Sequence, residues 1–165
     1  MFARRPDTGE AVWFYQSSPH DLHDYDGINE SILVDLPWQG RPRKLMLRPE
    51  RNGYVYVMDR ATGQVLSATP FVHVTTSTGV DLETGALKYN PAKQPRMGET
   101  VRSICPASPG AKDWQPAAWS PRTRLLYIPH QNLCQDAITF GASYIAGTPY
   151  LGADVKEYPG PGGRR

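Results

Sequence analysis

Short turns that contain Thr-Gly, each placed between two apolar runs, constrain the fold of this chain more than any other feature. The first is Asp7-Thr8-Gly9, and the phrase returns with D-x-x-T-G spacing at residues 59–63 and 81–85. We expect the aspartate to cap each turn, while the glycine takes the positive φ that a hairpin needs. Repeated units of strand, turn and strand are typical of a β-propeller or another radial β array.

The composition favours strands over helices. Glycine and proline supply 15 and 16 of the 165 residues, and most of them separate short runs of β-branched and aromatic side chains. We therefore expect an all-β fold, with a hairpin at Asn52-Gly53 and a long irregular surface loop after Gly85. The net charge of +2 and the scattered arginines argue against a nucleic-acid partner. No apolar run is long enough for a membrane-spanning helix.

An acidic segment at residues 19–27 concentrates the ionisable side chains that are suited to chemistry. If the segment is extended, Asp24 and Asp26 point the same way, because side chains alternate faces with a period of two. Paired carboxylates suit a hard cation, and one of them can also accept a proton. The alternative is structural: Asp26-Gly27 is a hairpin turn and the other acids cap loops.

The other polar residues of this segment point to structure. We expect His20 and His23 to form hydrogen bonds within the loop and Asp21 to hold a turn, without contacting a metal. Elsewhere, the two cysteines, Cys105 and Cys134, allow one disulfide or two buried thiols.

Six ordered motifs together resemble the quinoprotein alcohol dehydrogenases, the pyrroloquinoline quinone (PQQ) enzymes that include methanol dehydrogenase. The resemblance covers essentially the whole chain, and it is specific because the motifs keep the family's order. The motifs are Trp13-Phe14-Tyr15-Gln16 with Pro19-His20-Asp21 and residues 24–30, then Arg48-Pro49-Glu50-Arg51-Asn52-Gly53, Ile104-Cys105-Pro106, Lys112-Asp113-Trp114-Gln115-Pro116, Asn132-Leu133-Cys134 and Tyr158-Pro159-Gly160-Pro161.

The resemblance assigns roles to particular residues. Asp24 matches the catalytic aspartate, which binds the metal ion and accepts the proton of the substrate hydroxyl. Asp26 matches an extra metal-binding aspartate of the lanthanide-dependent enzymes, where the calcium enzymes have a small uncharged residue. Arg51 matches the arginine that binds the quinone oxygens, and Asp113 stands where the family has an Asn or Asp that contacts PQQ. Cys105 and Cys134 match a structural disulfide, which implies a periplasmic protein.

The resemblance also implies a fold, cofactors and partners. It predicts a fragment of about three blades from an eight-bladed β-propeller, with residues 1–165 forming a partial propeller domain that is incomplete at both ends. The cofactors are PQQ and a lanthanide ion, with Ca²⁺ as the alternative. For the parent enzyme, the resemblance implies oxidation of primary alcohols such as methanol or ethanol to aldehydes, with electrons passed to a c-type cytochrome. It also allows a homodimer of the full-length protein. Other metal ligands and the tryptophan that stacks on PQQ have no match here, so we expect the fragment alone to be inactive.

Two other functions remain open from the sequence. One is a PQQ-dependent sugar or polyol dehydrogenase, which needs a wider funnel above the cofactor. The other is a non-enzymatic propeller that acts as a scaffold, for which the repeated Thr-Gly turns alone suffice. A scaffold has no use for Asp24, Asp26 and Arg51 at their present spacing.

Overall fold

A computed structural model describes residues 1–163. In that range the chain is almost entirely β, with thirteen strands and one 3₁₀-helix at Pro91–Lys93. The strands are β1 (Phe2–Arg4), β2 (Ala11–Phe14), β3 (Ile32–Trp38), β4 (Arg41–Pro49), β5 (Tyr54–Asp59), β6 (Val65–Pro70), β7 (Ser77–Val80), β8 (Leu87–Tyr89), β9 (Thr100–Ile104), β10 (Ala118–Ser120), β11 (Leu125–Tyr127), β12 (Leu133–Thr139) and β13 (Ala153–Pro159). The all-β prediction is confirmed.

The strands form five antiparallel sheets among the described residues. Strands β3, β4, β5 and β6 make a four-stranded meander in chain order, the arrangement of a complete propeller blade. Strands β9, β12 and β13 form a three-stranded sheet in the order β13, β12, β9. The pairs β1 with β2, β7 with β8 and β10 with β11 are two-stranded. The hairpin at Asn52-Gly53 joins β4 to β5, as predicted.

The main core lies on one face of the four-stranded sheet. Alternate residues of β5, namely Tyr54, Tyr56 and Met58, are buried there beside Met46 of β4 and Val65 of β6. This alternation is what a strand with one covered face requires. Side chains from other sheets, including Trp13, Tyr15, Val80 and Leu87, pack against the cluster and join the sheets to one another.

The three Thr-Gly turns are built alike, although the first differs from the predicted arrangement. In each, the glycine N–H donates to the carbonyl oxygen four residues earlier: Gly9 to Arg5 at 2.8 Å, Gly63 to Asp59 at 2.8 Å and Gly85 to Asp81 at 2.7 Å. Four residues before the glycine, the two later turns have Asp59 and Asp81, whereas the first turn has Arg5. Asp7 lies inside that turn, so the expectation that it caps the strand end is wrong.

Strand β2 and the residue after it attach to the two later turns. The Trp13 indole Nε1 donates to the Arg60 carbonyl at 3.0 Å, and the Tyr15 hydroxyl donates to the Gly85 carbonyl at 2.8 Å. A Cβ atom added to Gly63 would lie 2.8 Å from Cδ2 of Trp13, so the absence of a side chain lets the indole lie flat on the turn. The repeated turns thus serve as docking points between neighbouring sheets.

The chain after Gly85 is more regular than expected. It forms β8, the 3₁₀-helix and then β9, which pairs with β12. This pairing joins residues that are distant in the sequence, so no local turn or hairpin pattern predicts it. No helix in the part of the chain that the structure describes is long and apolar enough to cross a membrane.

Candidate functional site

The acidic segment forms a folded loop between β2 and β3, so the condition on which Asp24 and Asp26 were expected to point the same way, an extended segment, is not met. Asp24 has a positive φ of 64°, which reverses the chain there. The Asp21 carboxylate accepts the His23 N–H at 3.0 Å and also the Tyr25 N–H, which confirms that Asp21 holds a turn. The positions of Asp24 and Asp26 therefore come from this turn and not from strand alternation.

Asp24 and Asp26 nevertheless share one electrostatic environment. Partial burial raises the pKa of the Asp24 carboxyl, the Arg51 guanidinium lowers it, and Asp26 raises it by repulsion and by a hydrogen bond. The net pKa lies above the ordinary value. The Asp24 side chain is 72% exposed, so its oxygens remain accessible. Two carboxylates this close are a favourable place for a hard cation, which would relieve their mutual repulsion.

Arg51 connects this acidic pair to a second loop. It lies in the turn that follows β4, and only 11% of its side chain is exposed. Its Nη2 is 3.7 Å from Oδ2 of Asp24, and its Nη1 is 3.1 Å from Oδ1 of Asp113. Nη2 also donates to the Ser108 carbonyl at 2.7 Å. Three of the residues singled out in the sequence are thus brought together although 89 positions separate Asp24 from Asp113.

Two glycines confine the Arg51 side chain. A Cβ atom on Gly27 would lie 2.7 Å from Cδ of Arg51, and one on Gly110 would lie 2.7 Å from its Cβ. Gly110 also has a positive φ of 77°. The buried Nε of Arg51 has no hydrogen-bond partner within the described chain, so the guanidinium keeps donor capacity for another group. The role of Gly110 was not predicted from the sequence, because a single glycine in an irregular stretch does not indicate which side chain it contacts.

A buried ion pair supports the loop that carries Asp113. Lys112 Nζ lies 2.8 Å from Oε2 of Glu30, and none of the Lys112 side chain is exposed. Burial raises the pKa of Glu30, but the hydrogen bonds from Lys112 and the Ala117 N–H outweigh it, so the pKa lies below its ordinary value. Neither residue was identified from the sequence, because an isolated Lys and Glu usually lie on the surface.

The two histidines differ from their expected role as hydrogen-bonding residues of the loop. His23 is 4% exposed, its ring centroid lies 5.3 Å from that of Tyr25, and its Nε2 has no partner among the described residues. Burial lowers the pKa of His23, and the nearby Asp21 raises it less. His23 is therefore a packed side chain, buried against Tyr25. His20 is exposed, at a positive φ of 50°.

A disulfide lies next to the site. Cys105, which follows β9, is bonded to Cys134 of β12. The buried Tyr25 hydroxyl donates to the carbonyl of Pro106, the residue after Cys105. The acidic loop is therefore attached, through Tyr25, to the segment that the disulfide holds.

The donor set fits part of a metal and quinone site. Asp24 and Asp26 offer carboxylate oxygens, Arg51 offers N–H donors and Asp113 offers an acceptor beside them. Residues 1–163 contain no group of three or more His, Cys, Asp or Glu side chains placed to hold a metal. Hard cations take six or more oxygen ligands, so this chain would supply only some of them. A cavity of about 420 Å³ opens beside Asp24, with Leu22, Ile104 and Val155 among its apolar walls.

Comparisons with known proteins show which family this chain resembles. Residues 3–84 match the family model described as the β-propeller domain of PQQ glucose, ethanol and alcohol dehydrogenases. The chain is 46% identical over 164 residues to the lanthanide-dependent methanol dehydrogenase of Methylacidiphilum fumariolicum (strain SolV), covering 99% of this chain and 27% of that protein. It is 36% identical over 167 residues to subunit 1 of the methanol dehydrogenase [cytochrome c] of Methylorubrum extorquens, again covering 27% of the relative.

A solved structure gives the same result in three dimensions. The chain superposes on a europium-containing methanol dehydrogenase with a TM-score of 0.90 and 46% identity, over 96% of this chain and 28% of that one. The chain thus spans about a quarter of the length of the relatives it matches. On these grounds it belongs to the family of PQQ-dependent β-propeller dehydrogenases.

Proposed function

We propose that residues 1–165 are part of the propeller domain of a longer PQQ-dependent alcohol dehydrogenase, and that they supply part of its active site. The observation that carries this proposal is the position of Arg51, 3.7 Å from Asp24 and 3.1 Å from Asp113. The relatives that match 99% and 100% of the chain are methanol dehydrogenases, which supports an alcohol as the substrate.

Each residue has a proposed task. Asp24 would ligate the metal ion and accept the proton of the substrate hydroxyl. Its carboxylate is exposed, and a pKa above the ordinary value makes it a stronger proton acceptor. Arg51 binds the oxygens of the quinone and stabilises the negative charge that develops there, while Asp113 holds Nη1 of Arg51 and contacts the cofactor. When bound, PQQ supplies the acceptor for the hydride of the alcohol.

The metal ion is proposed to be a lanthanide, with Ca²⁺ as the alternative. Asp26 provides a second carboxylate beside Asp24, and a trivalent ion needs more negative charge from its ligands than Ca²⁺ does. The 46% identity to a lanthanide-dependent enzyme, against 36% to the cytochrome c-linked methanol dehydrogenase subunit, supports the same choice.

The remaining parts of the proposal concern partners and location. Electrons leave to a c-type cytochrome, because one relative is the methanol dehydrogenase [cytochrome c] of Methylorubrum extorquens. The Cys105–Cys134 disulfide supports a periplasmic location, because disulfides persist in oxidising compartments. A homodimer of the full-length protein belongs to the same proposal, and light scattering during gel filtration tests it.

The test uses the full-length protein reconstituted with PQQ and either La³⁺ or Ca²⁺, with reduction of a dye by methanol or ethanol as the readout. We expect activity with La³⁺. Asp26→Ala should weaken La³⁺ activation by more than about tenfold, because changing a residue that only hydrogen-bonds a metal ligand already lowers metal affinity about tenfold or more. Asp7→Ala, which removes an exposed acid from a distant turn, is the matched control.

The outcomes separate the candidate functions. Activity with Ca²⁺ alone would contradict the lanthanide assignment. Oxidation of sugars or polyols in place of simple alcohols would favour the sugar dehydrogenase, and no activity with either metal would favour the scaffold.

A further inference from the structure

The ion pair between Glu30 and Lys112 lies beside the site, and its lysine side chain is completely buried. The two charged groups are 2.8 Å apart, with 32% of the Glu30 side chain exposed and none of the Lys112 side chain exposed. Glu30 follows the acidic loop and Lys112 immediately precedes Asp113. The pair therefore links the two loops that contact Arg51, although the roles proposed above make no use of it.

Each partner has a second contact, and both fall on the same short segment. Oε1 of Glu30 accepts the Ala117 N–H at 2.6 Å, and Nζ of Lys112 donates to the Asp113 carbonyl at 2.9 Å. The pair thus holds both ends of the segment 112–117. The residue before the segment provides a third attachment, because the Ala111 N–H donates to the Arg51 carbonyl at 2.8 Å.

Stability alone does not explain the pair. Removing two charges from water carries a penalty that their attraction often fails to offset, and apolar residues of similar volume are commonly as stable or more so. The pair does fix the geometry of the segment that it contacts. Here that geometry ends at Oδ1 of Asp113, which lies 3.1 Å from Nη1 of Arg51.

We infer that Glu30 and Lys112 are a positioning pair that holds Asp113, and through it the Arg51 guanidinium, in the orientation that receives the quinone cofactor. The inference rests on the proposed function and extends it to two residues that touch neither the metal nor the quinone. They act by holding the segment 112–117 and the side chains next to it.

The test compares single and double variants of the full-length protein. Glu30→Gln leaves the Lys112 ammonium buried without its counter-charge, and we expect it to lower the thermal unfolding temperature. The double variant Glu30→Gln with Lys112→Met removes both charges and should recover most of that temperature. We expect it to bind PQQ at least tenfold more weakly than the wild type, measured by equilibrium dialysis, and to shift the absorption spectrum of the bound cofactor.

A second ion pair provides a matched control. Arg43 and Asp59 are also 2.8 Å apart and partly buried, but they join β4 to the last residue of β5. Neither is one of the residues of the site. The double variant Arg43→Met with Asp59→Asn removes this pair in the same way. Its unfolding temperature should differ from that of the wild type, but its PQQ affinity should stay within twofold of the wild-type value.

Unchanged PQQ affinity in a folded Glu30→Gln, Lys112→Met protein would overturn the inference while leaving the proposed function intact. If the double variant does not fold, Glu30→Asp takes its place, since it keeps the charge but shortens the reach to Lys112 by one carbon. PQQ affinity that is at least threefold weaker in that folded variant supports the inference, and a smaller change overturns it. Failure of the wild type to bind PQQ would overturn the proposed function and the inference together.

Discussion

The Arg51 side chain has little freedom to move. Gly27 and Gly110 lie within van der Waals distance of its aliphatic part, and Asp113 and the Ser108 carbonyl receive its N–H groups. Arginine binds oxygen pairs well because its donors lie in a fixed plane, so the position of that plane decides what it binds. The residues that set the plane are consequently as important as the arginine itself.

Gly27→Ala should displace Arg51 without unfolding the protein. Gly27 does not have a positive φ, so alanine fits the backbone, but its Cβ would meet Cδ of Arg51 at 2.7 Å. We expect kcat/KM to fall by about ten- to a hundredfold through misplacement of a binding group, with a stability loss of about 1–3 kcal/mol from overpacking. Gly141→Ala, where a Cβ meets nothing within 4 Å, is the control and should behave as the wild type.

Asp81 should make folding depend on pH in the acidic range. Hydrogen bonds from the Thr84 N–H and from Lys88 lower the pKa of Asp81 to about 2, although slight desolvation raises it. A pKa lowered by folding stabilises the protein above the ordinary pKa of 3.8, and this contribution disappears as the pH falls from about 4 to about 2.

Asp81→Asn is therefore expected to destabilise the full-length protein at pH 7, and the difference from the wild type should shrink as the pH approaches 3. Urea midpoints at pH 7, 4.5 and 3 measure it. A difference that is constant across this range would show that the charge of Asp81 has no part in stability.

At the scale of elements, β2 joins sheets that are otherwise separate. Trp13 lies on the turn at Gly63 and Tyr15 reaches the turn at Gly85, so one short strand connects two hairpins from different sheets. The same turn structure that closes each hairpin also provides a flat surface and a free carbonyl for the neighbouring sheet. Hairpin closure and sheet-to-sheet packing therefore depend on the same few residues.

Trp13→Phe tests this docking. Phenylalanine keeps an aromatic ring against Gly63 but loses the hydrogen bond from Nε1 to the Arg60 carbonyl, which should lower the free energy of unfolding by about 1 kcal/mol. Trp114→Phe is the control, since Trp114 is 67% exposed and should be neutral. Equal effects of the two changes on chemical denaturation would contradict the docking role.

At the scale of the whole molecule, long-range attachments hold five separate sheets in one arrangement. The Cys105–Cys134 disulfide closes a loop of 29 residues, and the Tyr25 hydroxyl ties the acidic loop to the Pro106 carbonyl next to it. Large apolar side chains such as Phe2 and Phe14 are 66% and 70% exposed, and the chain spans about a quarter of the length of its relatives. In the longer protein proposed above, such side chains would pack against further blades.

Loss of the disulfide should weaken both the fold and the site. For a loop of 29 residues, the chain-entropy model gives about 3–4 kcal/mol of stabilisation, so Cys134→Ser with Cys105→Ser should lower stability by that order. Since Tyr25 anchors the acidic loop beside the disulfide, metal affinity should fall as well. Isothermal titration with La³⁺ measures this, and unchanged affinity in a folded variant would show that the loop is held independently.

Local patterns in the sequence determined the all-β class, most turns and the residue types of the site. The Thr-Gly turns and the Asn52-Gly53 hairpin depend on φ preferences of single residues, so they were predictable from the sequence. The acidic segment is not extended, because the Asp21 side chain competes with strand geometry by accepting two backbone N–H groups.

Only the tertiary structure decided which distant residues meet. The approach of Asp113 to Arg51, the burial of Lys112 against Glu30 and the pairing of β9 with β12 all join segments far apart in the chain. No local preference encodes such contacts, because their free energy comes from packing and charge pairing that exist only when the chain is folded. The sequence therefore determined which groups were present, and the fold determined which of them act on one another.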